Sequence, residues 1–346
     1  MPALRLSLIC CALLIFFCNR LPGQAADFAE TRKLAETGDA AAQAHLGSLY
    51  ACGKGVPQDD SLAVKWWRKA ADQGHPAAQC ALGIMYDSGD GVSHDVDEAA
   101  KWFRKAAEQG HANAQFLLGC LYASGDGVPL NHKEAVRLWL KAADQHHSSA
   151  QAMLGTMYGQ GKGVEKDYAE AVKWYYLAAL QGVADSQTKL GLLYANGLGV
   201  QQSYKESLKW YHKAAEQGHA EAQRHIGNSY LEGRGVLKDM AEALKWWKKA
   251  AYSGDSVAQF NLSVVYADGE GAPKDDIEAY AWSNLAAVSS DAARKQRDDL
   301  ARRIPPEARL IAQQRTKQIQ KEIENLEIER LKKEDRTRRE EILKGA

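Results

Sequence analysis

The sequence predicts an all-α solenoid of stacked antiparallel helix pairs. Three observations carry that expectation. A glycine recurs every 36 residues (Gly47, Gly83, Gly119, Gly155, Gly191, Gly227), and self-similarity at a fixed period marks a repeat architecture. Each period holds two segments with helix start and stop signals, and none with the alternation of a strand. The 346 residues include 56 alanines, the best helix former and a residue that lets helices approach closely. The 44 basic and 44 acidic side chains give a formal net charge of zero. That balance excludes a uniformly basic nucleic-acid binder and a strongly acidic disordered chain.

The first element, residues 1–25, reads as a secretory signal peptide. Arg5 precedes the apolar run Leu6–Cys18, and a small-residue site follows at Gly23 and Ala25. The run is too short to span a bilayer, which takes about 20 residues, and the layout is that of a cleaved signal. Cys10, Cys11 and Cys18 would leave with it, so Cys52, Cys80 and Cys120 remain. An odd count allows at most one internal disulfide. Residues 27–40 read as a lone second helix of an incomplete repeat.

Seven copies then run over 41–292 without insertion or deletion, with Ala41 as column 1 of the first. Column 3 is Gln in every copy, from Gln43 to Gln259, and column 10 is Tyr, from Tyr50 to Tyr266. Columns 2, 6 and 10 step by four and share one face of helix A. The glycine of column 7 costs about 1 kcal/mol in mid-helix, so another helix should pass close to it. Glycines at columns 13 and 15 end helix A. Column 19 then carries Asp, Asn or Ser, and column 22 carries Glu in six copies. This spacing predicts a capping box that starts helix B near column 20. Columns 26 and 27 hold an aromatic pair such as Trp66–Trp67, columns 30 and 31 are Ala–Ala, and column 34 is mostly Gly. Two short amphipathic helices cannot bury their faces alone, whereas stacked copies can.

The string A-Q-x-x-L-G-x-x-Y-x-x-G-x-G-V, continued by D-x-x-x-A-x-x-W-x-x-K-A-A-x-x-G-H, resembles the Sel-1-like repeat, a relative of the tetratricopeptide repeat. The resemblance covers 252 of the 346 residues. It implies a right-handed superhelix of antiparallel helix pairs that binds other proteins. The seventh copy departs from the pattern at Ser263, Ala272 and Ser290, as terminal repeats do when one face meets water. Residues 293–318 are expected to form a helical cap, with Pro305–Pro306 opening its second helix. Residues 319–346 read as a charged tail, helical or disordered.

Several tempting motifs dissolve into the repeat. All nine Trp fall in columns 26 and 27, where core packing accounts for them. Gly53–Lys54 and Gly161–Lys162 lack the Ser or Thr of a phosphate loop. His75, His111, His147 and His219 share column 35, but neighbouring copies sit roughly 10 Å apart, too far to share a metal whose ligands lie about 2 Å away. Ser186 and Lys189 match the S-x-x-K of serine acylases, yet Ser186 occupies a small core column and the companion motifs are missing. No catalytic, cofactor or metal site is expected.

By analogy with tetratricopeptide arrays, columns 1, 4, 8, 11 and 12 of helix A line a concave surface. Columns 4 and 8 are also where the copies differ most. They supply the candidate partner-binding residues: Phe116 and Phe260 as aromatic anchors, then Arg224, and with them Cys80, Cys120, Thr188, Leu192 and Asn228. Cys80 and Cys120 are expected as free thiols, being too far apart to bridge.

The function expected is a non-enzymatic scaffold or adaptor, exported to the periplasm or secreted, that binds a protein or peptide on the concave face. Relatives suggest roles in signalling, exopolysaccharide assembly or host contact. The chain is expected to be a monomer that binds no nucleic acid. The alternatives are a β-lactam-binding or hydrolysing enzyme, as cysteine-rich relatives suggest, and an envelope structural protein whose tail touches the membrane. Charge is unevenly divided: residues 1–20 carry +2, residues 21–292 carry −7 and residues 293–346 carry +5.

Overall fold

The computed structural model describes residues 25–344, with side chains from 28 to 332. The expected signal segment, except its last residue, lies outside the described residues. Seventeen helices and no strand are present among the described residues, so the fold is an all-α solenoid. The chain divides into two compact units, one up to Trp174 and one of Tyr175–Glu341.

Helix α1 (Ala25–Glu36) stands alone. Seven helix pairs follow: α2 (Ala40–Cys52) with α3 (Asp60–Asp72), α4 (Pro76–Ser88) with α5 (Val96–Glu108), and α6 (Ala112–Ser124) with α7 (His132–Asp144). Next come α8 (Ser148–Gln160) with α9 (Tyr168–Leu180) and α10 (Ala184–Asn196) with α11 (Tyr204–Glu216). The last pairs are α12 (Ala220–Glu232) with α13 (Met240–Tyr252), and α14 (Ser256–Asp268) with α15 (Asp276–Ala286). Two helices close the chain, α16 (Asp291–Arg303) and α17 (Pro306–Lys344).

Every helix B begins at column 20, as the capping signal predicts, but only half of the capping box forms. The Asp59 carboxylate accepts from the Leu62 N–H at 2.8 Å, and Asp95 accepts from Glu98 N–H at 3.0 Å. The return bond from the column 22 Glu is not made, because the cap's own N–H already donates to the column 10 carbonyl of helix A. Asp59 N–H reaches Tyr50 O at 3.0 Å and Asp95 N–H reaches Tyr86 O at 2.9 Å. Most of the glutamates turn instead to a Lys or Arg one turn on, as in Glu98–Lys101 and Glu206–Lys209, both 2.6 Å, while Glu278 pairs with Arg315.

The column 7 glycines are explained by contact within the pair. A Cβ on Gly47 would lie 2.6 Å from the Trp67 ring, and one on Gly119 would lie 2.6 Å from Trp139 Nε1. The seventh copy exchanges both partners together. Ser263 replaces the glycine, Ser283 replaces the column 27 aromatic, and the Ser263 hydroxyl donates to Ala279 O at 2.8 Å.

The column 3 glutamines tie each copy to the one before. Gln79 Nε2 donates to Ala71 O at 3.1 Å, and its Oε1 accepts from Gln109 Nε2 at 2.8 Å. The same donation recurs from Gln43 to Gln259 across all seven copies. Each buried amide is thereby satisfied, which accounts for the fixed Gln.

The boundary expected at 318/319 is not a boundary in the structure. Helix α17 runs through it, and Ile319 is fully buried beside Leu262, Ala281 and Trp282. Glu322 accepts from the Tyr252 hydroxyl at 2.9 Å, and Arg315 pairs with Glu278 at 2.5 Å. The first turns of the presumed tail thus belong to the core of the last two repeats. No helix among the described residues is long and apolar enough to cross a membrane.

Candidate functional site on the helix A face

The structure moves most of the expected partner-binding residues out of reach. Phe116 is 1% exposed, Cys80 and Thr188 are fully buried, and Cys120 is 9% exposed. The physical reason is a contact at a fixed spacing of 31 residues. Column 4 of one copy meets column 35, the residue that caps the next helix A. Phe116 stacks on His147 with ring centroids 4.7 Å apart. The Thr188 hydroxyl sits 3.0 Å from His219 Nδ1, and Arg224 Nε donates to Asp255 Oδ2 at 3.1 Å. Column 4 therefore packs on the cap of the following helix A and is not a free surface, even though His stands at column 35 both against Phe116 and against Thr188. Phe260 is half-buried against Ala286, Ala287 and Ala293.

The column 35 histidines are helix caps. His75, His111 and His147 accept through Nδ1 from the N–H of Ala78, Ala114 and Ala150, at 3.2–3.3 Å. Burial lowers all three imidazoles, His147 to about 4. Cys80 and Cys120 are free, and burial pushes both thiols up to about 12, far from a reactive thiolate. Ser186 is fully buried, and Lys189 Nζ lies 3.3 Å from Glu221 Oε2. The S-x-x-K pair is thus not arranged as nucleophile and base. No group of three or more His, Cys, Asp or Glu that could hold a metal occurs among the described residues.

Accessible chemistry gathers in copies 5 to 7. Leu192 and Asn228 of column 8 are half-buried there, with Asn228 Oδ1 accepting from Trp247 Nε1 at 2.9 Å. Around them lies a network that the comparison of columns 4 and 8 missed. Glu221 Oε2 faces Lys189, while its Oε1 lies 3.6 Å from His225 Nε2 and 3.9 Å from the Arg224 guanidinium. Arg224 extends the network to Asp255. His225 facing one carboxylate oxygen, with Lys189 facing the other, holds the Glu221 carboxyl at about 2. Tyr211 stacks on His225 at 5.0 Å and fixes the ring. The signal was present in column 5, which reads His45, Ala81, Leu117, Met153 and only then Lys189 and His225. These side chains are 11–36% exposed. They form a preorganised strip of alternating charge able to pair with a polar or charged peptide.

The Sel1 repeat family matches residues 40–75, 76–111, 112–147, 148–183, 184–219, 220–255 and 256–287. Among solved structures, a Sel1 repeat protein from Oxalobacter formigenes is 35% identical, over 70% of this chain and 96% of its own, with a TM-score of 0.65. The protein c5321, a protective antigen present in uropathogenic Escherichia coli strains and displaying an SLR fold, is 31% identical. It matches over 86% of this chain and 71% of its own, with a TM-score of 0.63. No curated protein matches the chain.

Proposed function

The chain belongs to the Sel1 repeat family, and we propose that it is a non-enzymatic scaffold that binds a partner protein along the helix A face of copies 5 to 7. Proteins of this family commonly mediate protein–protein interaction. The observation that carries the reading is the Lys189–Glu221–Arg224–Asp255 network. Its charges are partly desolvated and held in place by their neighbours, so a partner meets them without a large ordering cost. Half-exposed Leu192 and Asn228 beside them supply an apolar and a polar contact.

We place the protein in the bacterial envelope or outside the cell, on the strength of the signal-like residues 1–25. A protective antigen among its relatives accords with an exposed location. Mass spectrometry of the protein from envelope extract should find a mature chain beginning at Ala26. A chain still beginning at Met1 would overturn the export reading.

The binding face is tested with a photo-crosslinking residue placed at Leu192 and, as a control, at Lys209 on an exposed part of α11. Position 192 should capture a discrete partner band and position 209 should not. Equal labelling at both, or none at either, would count against this face.

A further inference from the structure

Outside helix A, one copy breaks the pattern of its neighbours. In copies 1, 2, 3 and 5, columns 29 and 32 of helix B hold a Lys and an acidic residue, as in Lys105 and Glu108. Copy 4 holds Leu177 and Leu180 there, with Tyr176 beside them, and these are 41%, 58% and 43% exposed. On α9 the three occupy positions i, i+1 and i+4 and make one apolar patch. Isolated exposed apolar side chains are ordinary, but a contiguous group on a repeat face signals a contact.

The same molecule shows what such columns take. In copies 6 and 7, columns 32 and 29 carry Tyr252 and Leu285, and α17 lies over them. Ile319 and Ile323 supply the apolar roof, and Glu322 bonds the tyrosine hydroxyl. The crevice between helices B of successive copies is therefore a seat for an amphipathic helix. Beyond Ile323 α17 continues to Lys344, about 32 Å more at 1.5 Å per residue. That stretch exposes Ile328 and Leu331, 48% and 54%, on one face at i and i+3. One chain thus carries an uncovered seat and an uncovered helix face of the kind that fits it.

We propose that the chain pairs with a second copy of itself, the distal part of α17 from each molecule docking on the Tyr176–Leu177–Leu180 patch of the other. Exchange of identical segments closes the pair with twofold symmetry. It also covers both apolar groups at once. This inference is independent of the helix A face and uses none of its residues.

The test is sedimentation equilibrium on the mature full chain, with Leu180→Glu and Leu331→Glu variants. Both positions are exposed, so helix content and melting temperature serve as folding controls. The parent chain should dimerise, and each substitution should weaken the dimer at least tenfold. Mixing the two variants should partly restore association, since the pair then keeps one intact contact. A parent chain that stays monomeric at every accessible concentration would overturn the proposal, as would a dimer indifferent to both substitutions. A monomer that instead binds an unrelated amphipathic helical peptide at Leu180 would assign the seat to a foreign helix and also overturn it.

Discussion

Phe116 illustrates what one sequence can and cannot reveal about a side chain. Its column varies from copy to copy, and variation suggests a free surface. The ring is in fact packed on His147 and buried. A column varies either because nothing constrains it or because the neighbour it packs on accepts different side chains, as His147 takes Phe116 and His219 takes Thr188. Only the structure exposes the pairing at a spacing of 31, seen again in Arg224–Asp255. Phe116→Ala should therefore cost about 3–5 kcal/mol, read as a lower urea midpoint; an exposed anchor would leave stability unchanged. His147 gives a second test. Burial holds its imidazole at about 4, below the ordinary 6.5. As pH falls the unfolded chain takes up the proton first, so stability is full above about 6.5 and is lost as pH drops toward 4. Asn is also a good cap but does not titrate. His147→Asn should thus remove about 2 kcal/mol of the stability loss between pH 7 and 5, measured by melts at the two values.

At the scale of the helices the sequence is far more legible. Capping residues at column 19 place the start of all seven helices B, and the glycines of column 13 place the ends of helix A, as at Gly53 with φ 64°. These signals are local, so they survive without knowledge of the neighbours. What the capping pattern could not show is that Tyr50 O would claim the Asp59 N–H and leave the Glu of column 22 to a lysine or arginine. The column 7 glycine was read correctly as a close approach, yet its partner ring appears only in three dimensions. Gly119→Ala should cost about 1–3 kcal/mol through overpacking on Trp139. Adding Trp139→Ser, on the pattern of Ser263 with Ser283, should cost less than the sum of the single changes. A double-mutant cycle in urea measures this; strict additivity would deny the coupling. Helix α17 was misdivided because its charged composition hides one buried residue per few turns. Ile319→Ala should cost about 2–4 kcal/mol in thermal melts, whereas a solvated tail would tolerate it.

For the whole molecule, the governing fact is that the bonds are local: those at spacings of 23, 30 and 31 residues stay within one copy, and the one at 8 joins a copy to the one before. Stability in such an array is a sum over copies and adjacent interfaces. Hydrogen exchange should show it. Phe116→Ala should speed exchange in α4 to α8 and leave α13 to α17 at the parent rate, while uniform acceleration would mean a single cooperative unit. Charge follows the same division, with −7 over residues 21–292 and +5 over residues 293–346, so the repeats attract neutral or basic partners more readily than the overall balance suggests. The glutamine bonds have a further consequence. Because Gln79 reaches Ala71 in one copy and Gln109 in its own, a single inserted or lost residue breaks contacts on both sides. Recombination that cuts at any column and rejoins at the same column of another copy keeps all of these glutamine bonds. The length of this protein can therefore change over evolutionary time only in whole steps of 36, and shorter or longer homologues should differ by complete copies.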